Sequence, residues 1–158
     1  MTVAETATQT ETRSVTVTAT EATAVGLPRA VAETHARLLA AAASGDYEEL
    51  RPLIGAGFSY TFGGPVAGGP IAFWQQTEQE SDKRPIEILR RILALPYTLS
   101  AGTYVWPFAY DKTEQDLTPH ERQLLGDLAE TFGAGSGYLG WRTGIRPDGT
   151  WVFFVAGD

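Results

Sequence analysis

Histidine is the side chain whose charge changes nearest to neutral pH, and this sequence has two of them, at positions 35 and 120. His35 falls on or beside the apolar stripe of a predicted helix. Its imidazole is therefore either a hydrogen-bonded group of the core or the acid–base group of a pocket. His120 falls in the first turn of another predicted helix, where we expect it to be exposed. Two distant histidines without carboxylates at ligand spacing predict no metal site, and the absence of cysteine excludes thiol catalysis.

Three charged residues, Asp111, Arg142 and Asp158, lie closest to the predicted strands. An aspartate and an arginine that meet in a low-dielectric cavity can activate water or hold a carboxylate, whereas at strand ends in solvent they do neither. His35, Asp111 and Arg142 are therefore the candidate catalytic residues, and whether the chain is an enzyme stays open. The glycine-rich run 135–140 follows a helix and precedes a strand, which is the reverse of a dinucleotide site. The sequence accordingly predicts no cofactor.

Aromatic side chains give the clearest indication of a binding surface. Phe58, Tyr60 and Phe62 alternate along one predicted strand, and a second predicted strand at 103–110 places four more aromatic residues on one face. A concave aromatic wall is typical of a pocket for a hydrophobic ligand, although aromatic residues also fill cores and oligomer interfaces. The predicted ligand-binding residues are Tyr60, Trp74, Tyr104, Trp106, Tyr110 and Trp141.

Five predicted helices and four predicted strands position these side chains. Helical spacing of apolar residues and capping signals predict helices at 27–44, 46–54, 71–80, 85–93 and 118–132. Alternation and turn residues predict strands at 58–62, 103–110, 141–146 and 151–156. Pro107 makes the second strand an edge or a bulged strand. The last strand is apolar on both faces, so we expect it to be central and covered.

The chain divides into a tail and one domain. Residues 1–26 contain no aromatic residue, leucine or isoleucine, and we expect this segment to be disordered. Within it, residues 14–20 alternate as a strand would, so addition to a sheet edge is the alternative for that stretch. Residues 27–158 are predicted to form a single α+β domain, with helices packed on a curved, mostly antiparallel sheet.

Charge and hydropathy exclude several classes of protein. The net charge of −7 argues against binding to nucleic acid and against adhesion to an anionic membrane surface. The N-terminus lacks the pattern of a signal peptide, and no apolar run approaches the length of a membrane span. Together with the absence of cysteine, these observations predict a cytoplasmic protein without nucleic-acid or membrane partners.

Two stretches carry a resemblance to a known family. The opening 44–54, with Gly45 and Asp46 between two helices before the aromatic strand 58–62, and the closing turn 148–151 resemble the NTF2-like (SnoaL-like) superfamily. The resemblance implies a cone in which a curved sheet wraps around helices and encloses either a small-molecule pocket or a packed core. Local stretches at 62–64, 69–74, 104–108 and 153–158 look similar to uncharacterised bacterial proteins.

The functional hypothesis that follows is a domain that binds a small hydrophobic molecule in an aromatic-lined pocket, with a homodimer as a further hypothesis. A small isomerase, dehydratase or hydrolase with a buried acid–base pair is the first alternative. A structural or protein-interaction module, tethered by the tail, is the second.

Overall fold

A computed structural model describes residues 26–133 and 137–157 of the chain. Its α-helices are α1 (Arg29–Ser44), α2 (Gly69–Glu80), α3 (Pro85–Leu93) and α4 (Pro119–Leu125). Shorter 3-10 helices lie at Tyr47–Leu53, Phe108–Asp111, Glu114–Asp116 and Gly126–Thr131. The strands are β1 (Thr98–Ser100), β2 (Thr103–Trp106), β3 (Arg142–Ile145) and β4 (Trp151–Val155). The predicted α+β class is confirmed, while the predictions for residues 1–25 and Asp158 lie outside the described residues.

Local signals in the sequence place the helix ends. α1 ends where Gly45 adopts a left-handed conformation, and the side chain of Asp46 then accepts a hydrogen bond from the backbone N–H of Glu48 at 2.9 Å. The helix that follows is a 3-10 helix with Pro52 inside it. Thr118 and Glu121 form the predicted capping box of α4. That helix stops at Leu125 and continues as a 3-10 helix, so the prediction of one helix to Phe132 was wrong.

The strands form one antiparallel sheet in the order β1-β2-β3-β4, with β1 and β4 at its two ends. Ala101 and Gly102 join β1 to β2 in a two-residue turn with φ of 50° and 80°, the positive values that a tight hairpin requires. β1 was not predicted, because three residues are too few to show an alternating pattern. The register of β3 against β4 shifts between Gly144 and Ile145, a bulge that bends the sheet.

The two faces of the sheet have different roles. The inner face packs against the helices and carries Trp106, Thr143, Ile145, Trp151 and Phe154, all of them buried. The side of the sheet that faces away from α1 and α3, called the outer face here, carries Val105, Arg142, Gly144, Phe153 and Val155. Side chains alternate between the two faces along a strand. The residues of β3 and β4 that do not pack against the helices therefore lie on the outer face.

The core lies between the inner face and the helices. α1 and α3 pack against each other through apolar stripes that the sequence predicted, with Val31, Leu38, Leu89 and Ile92 fully buried. α2 adds Trp74, whose side chain is also fully buried. None of the described helices combines the length and the apolar composition needed to cross a bilayer.

The predicted strand 58–62 is a segment whose backbone pairs with the sheet at one residue, Ser59. Ser59 forms a parallel bridge to Phe153, donating its N–H to the carbonyl of Val152 and accepting from the N–H of Phe154, each at 3.0 Å. The aromatic side chains of the segment diverge instead of sharing one face. The ring of Phe58 lies 4.5 Å from that of Trp151 in the core, whereas Phe62 is 58% exposed.

Two further strand predictions need correction. The second strand ends at Trp106, because Pro107 has no N–H for the ladder, and the chain then turns into the 3-10 helix Phe108–Asp111. Tyr110 is therefore on that helix and not on the strand face. The last strand, β4, lies at the end of the sheet and not at its centre. Phe153 and Val155 on its second face line one cleft together with Ser59, Thr61 and Phe62.

The turn between β3 and β4 provides a first test of the packing. Gly149 has a φ of +93°, and a Cβ there would lie 2.9 Å from the backbone oxygen of Ala30 in α1. Gly149→Ala is expected to destabilise the protein by about 2–4 kcal/mol, because it combines an unfavourable φ with a backbone clash. Gly57→Ala is the matched control, since Gly57 has a φ of +79° but open space around its Cα. Urea unfolding of both variants measures the difference, and equal losses would show that Gly149 does not pack on α1.

Candidate functional site

Two of the predicted ligand-binding residues are fully buried in the core. Trp74 packs against other rings, with centroid separations of 5.4 Å to Phe154 and 6.1 Å to Phe58. The ring of Trp106 stacks on His35 at 4.9 Å. The inner aromatic wall that the sequence predicted is therefore a packed part of the core, and Trp74 and Trp106 present no surface to a ligand.

The remaining predicted ligand-binding residues are half-buried and separate from one another. Tyr104 packs edge-on against Tyr97 at 5.5 Å, and Trp141 lies 4.8 Å from Phe154. The hydroxyl of Tyr60 accepts a hydrogen bond from the N–H of Val66 at 2.8 Å, which fixes the loop after residue 62. Trp141 also lines a broad cleft of about 500 Å³ beside α3, where charged residues of both signs form the rim.

His35 is a fully buried group of the core. Its Nε2 lies 2.8 Å from the carbonyl oxygen of Leu93, and because a carbonyl only accepts, Nε2 carries the proton. Nδ1 is then a bare acceptor, and it is buried with no hydrogen-bond partner among the described residues. Burial lowers the pKa of His35, against a smaller opposite effect of the hydrogen bond to Leu93. Of the two alternatives that the sequence left open, the hydrogen-bonded core group is the one observed.

Asp111 and Arg142 make contacts with different partners. The hydroxyl of Thr98 donates to the exposed carboxylate of Asp111 at 3.0 Å. The guanidinium of Arg142 donates to the carbonyl oxygens of Gly140 at 3.1 Å and Gly157 at 2.7 Å. With His35 in the core, the three candidate catalytic residues do not form an acid–base group in the described part of the chain.

A cleft on the outer face of the sheet unites Tyr110 and Arg142 with residues that were not predicted. It has a volume of about 270 Å³, and we call it the outer-face cleft. Four elements contribute to it: the segment 58–62, the 3-10 helix Phe108–Asp111, β3 and β4. Its lining residues are Ser59, Thr61, Phe62, Tyr110, Arg142, Phe153 and Val155.

One wall of the outer-face cleft is an exposed aromatic ring held by a cation. The guanidinium carbon of Arg142 lies 5.4 Å from the centroid of the Phe62 ring, within the range of a cation–π interaction. The two carbonyl hydrogen bonds of Arg142 fix the guanidinium in place. Phe62 is thus held over the sheet although 58% of its surface is exposed.

The floor of the cleft depends on a glycine. Gly144 of β3 lies opposite Phe153 of β4, and a Cβ on Gly144 would come within 2.7 Å of the Phe153 ring carbon Cζ. The absence of a side chain at Gly144 therefore allows the Phe153 ring to lie across β3. Val155, which is buried, completes the apolar floor.

The chemistry available in the cleft is that of binding. Its polar side-chain groups are the hydroxyls of Ser59, Thr61 and Tyr110 and the guanidinium of Arg142, and the described residues that line it include no carboxylate or histidine. Within 26–133 and 137–157, no group of three or more histidine or acidic side chains could hold a metal ion. An aromatic and aliphatic floor with a few polar groups at its edge is suited to a small, mainly apolar molecule.

Comparison with known proteins adds no relative: no family model, no curated protein and no solved structure matches this sequence. The resemblance to the NTF2-like superfamily consequently stays a prediction.

Sequence reasoning found part of this cleft. Phe62 was recognised as an aromatic strand residue, and Tyr110 and Arg142 were candidates, but each for a different reason. Phe153 and Val155 were missed as lining residues. The sequence signal for these two residues was that β4 is apolar on both faces. Apolar residues on the outer face indicate that this face is also in contact with other groups.

Proposed function

We propose that the protein binds a small, mainly apolar molecule with an aromatic ring in the outer-face cleft. The observation that carries this proposal is Phe62, an aromatic ring that is more than half exposed and yet held in place by Arg142. Apart from its contact with Arg142, the exposed part of the Phe62 ring contributes no burial to the folded chain, whereas a ligand that covers that part gains the burial of its area. A ring held in position in advance also loses less conformational entropy when the ligand binds.

The dimensions of the cleft limit the ligand. A volume of about 270 Å³ lies just below the roughly 300–1,000 Å³ that is usual for small-molecule pockets, which suits a single aromatic ring with a short substituent. Stacking or edge contact with Phe62 and Phe153 supplies the apolar part of the binding. Thr61 and Tyr110 also line the cleft, and their hydroxyl groups would supply the hydrogen bonds to a polar substituent of the ligand.

Titration with benzyl alcohol, benzoate and indole, followed by backbone amide chemical shifts, tests the proposal. We expect the largest shifts at Thr61, Tyr110 and Val155. Phe62→Ala should weaken binding of the best probe at least about tenfold, since it removes an aromatic contact and the area that the contact buries. Its fold should be unaffected because the side chain is mostly exposed.

Leu124→Ala is the control, because Leu124 is 42% exposed and lies outside the cleft. Shifts confined to the cleft beside Trp141, or equal affinity of the Phe62→Ala and Leu124→Ala variants, would show that the outer-face cleft is not the binding site.

A further inference from the structure

Among residues 26–133 and 137–157, nothing pairs with β1 on the side away from β2, so the sheet as described has an open edge there. β1 is the first strand in the sheet order, and none of the isolated bridges in the described part of the chain involves it. Ser100 and Thr103 flank the two-residue turn, so Ser100–Thr103 and Thr98–Val105 are hydrogen-bonded pairs and Leu99–Tyr104 is not. The N–H and C=O of Leu99 therefore point away from β2, towards the open edge.

The side chain of Leu99 adds to this feature. It is 55% exposed, and it is the apolar residue between two hydroxyl residues, Thr98 and Ser100. The edge thus presents a polar–apolar–polar pattern together with outward-pointing backbone groups. An open edge with an exposed apolar side chain is the kind of surface to which another strand adds.

The same pattern occurs in the N-terminal part of the chain. Residues 14–20 read Ser-Val-Thr-Val-Thr-Ala-Thr, an alternation that in a strand would put Val15 and Val17 on one side and hydroxyl residues on the other. A valine placed opposite Leu99 shares its face of the sheet, which also puts threonines beside Thr98 and Ser100. Neither stretch carries a charge, so no repulsion opposes their pairing.

The point at which the described chain begins brings this segment within reach. A Cβ on Gly26 would lie 3.0 Å from the hydroxyl oxygen of Tyr97, the residue that precedes β1. Gly26 follows Thr20 by six positions, and an extended chain of that length spans about 20 Å. This exceeds the length of β1, about 10 Å at the rise of a strand.

We propose that residues 14–20 of the same chain bind to the open edge of β1 as an additional strand. An edge of three residues is too small to hold a separate molecule. A tethered segment has an effective concentration in the millimolar range, and a few hydrogen bonds and one apolar contact are then sufficient. The additional strand would cover Leu99 and the backbone groups that the edge exposes.

Hydrogen exchange of the Leu99 amide in the full chain tests this proposal. We expect the Leu99 N–H to exchange at least about tenfold more slowly in the full chain than in a variant that lacks residues 2–25. Val15→Asp combined with Val17→Asp should accelerate exchange to the rate of the truncated variant. Ala4→Asp combined with Ala7→Asp is the matched control, because it adds the same charge outside the pairing segment, and it should leave the exchange slow.

Equal exchange of the Leu99 amide in all four proteins would overturn the proposal. Protection that increases with protein concentration would overturn it as well, because it would assign the strand to a second copy of the chain. The amide of Ile145, in the interior of the sheet, serves as the reference for global stability in each variant.

Discussion

Lowering the pH from 7.5 to 5 is expected to destabilise the folded protein, and replacement of His35 should remove most of that loss. The side chain is fully buried, its Nε2 donates to Leu93, and its Nδ1 has no partner in the described part of the chain. Protonation would place a positive charge on Nδ1 between apolar side chains and the face of Trp106. The folded state therefore resists protonation.

The sign of the effect follows from this difference. The pKa of His35 is lowered in the folded state, so below its ordinary value of about 6.5 the unfolded chain binds the proton and the folded chain does not. The contribution of His35 to the free energy of unfolding is fully present above about pH 6.5. It is lost progressively as the pH falls towards the lower pKa of the folded state. For one site the slope of the unfolding free energy cannot exceed about 1.4 kcal/mol per pH unit.

Carboxylates act in a lower range of pH. Hydrogen bonding with arginine side chains lowers the pKa of Glu87 and Asp127 below their ordinary values. Their contribution to stability is present above pH 4.5 and is lost only when the pH falls further. The loss expected from His35 as the pH falls below about 6.5 therefore begins above the range in which Glu87 and Asp127 contribute to a loss.

Urea unfolding of the wild type, His35→Gln and His120→Gln at pH 7.5, 6 and 5 measures the effect. His35→Gln should be less stable at pH 7.5, because a buried packing position changes, but its stability should be nearly constant down to pH 5. His120→Gln is the control for the loss of a histidine at an exposed position. A slope that persists in His35→Gln would show that the core histidine is not the group that titrates.

The sequence predicted the helical part of the fold well because helix signals are local. The apolar stripes of α1 and α3, Gly45 as the end of α1 and the capping box at Thr118 are each decided within a few residues. The strands were predicted less well, because pairing depends on distant partners. β1 shows this limit, since three residues become a strand only through the turn at Gly102 that pairs them with β2.

The site was predicted in fragments for the same reason. Phe58 and Phe62 stand in one alternating run, but Phe58, just before the bridge at Ser59, enters the core, whereas Phe62, three residues after it, lies on the outer face. An alternating pattern fixes the two sides of a segment only while that segment stays in a sheet. Trp74 and Trp106 carried the same ambiguity, because aromatic side chains suit a ligand wall and a core equally well.

Trp74→Ala is expected to lower the free energy of unfolding by about 3–5 kcal/mol, because it removes a fully buried indole ring from the core. The ring of Trp74, on α2, contacts Trp151 and Phe154 on the inner face of the sheet. It also contacts Phe58, in the segment 58–62 that contributes to the outer-face cleft. Typical domains are stable by only about 5–15 kcal/mol, so this variant should be partly unfolded at moderate temperature.

Two further variants test whether the loss comes from the buried position of the Trp74 ring. Trp74→Phe keeps a ring and removes the indole N–H, which is buried without a hydrogen-bond partner among the described residues, so it should cost less than half as much as Trp74→Ala. Trp141→Ala, at a half-buried tryptophan, should also cost less. Urea unfolding followed by far-UV circular dichroism avoids dependence on the tryptophan signal. If Trp74→Ala cost no more than Trp141→Ala, Trp74 would not be a core residue, and the prediction that it contacts a ligand would regain its support.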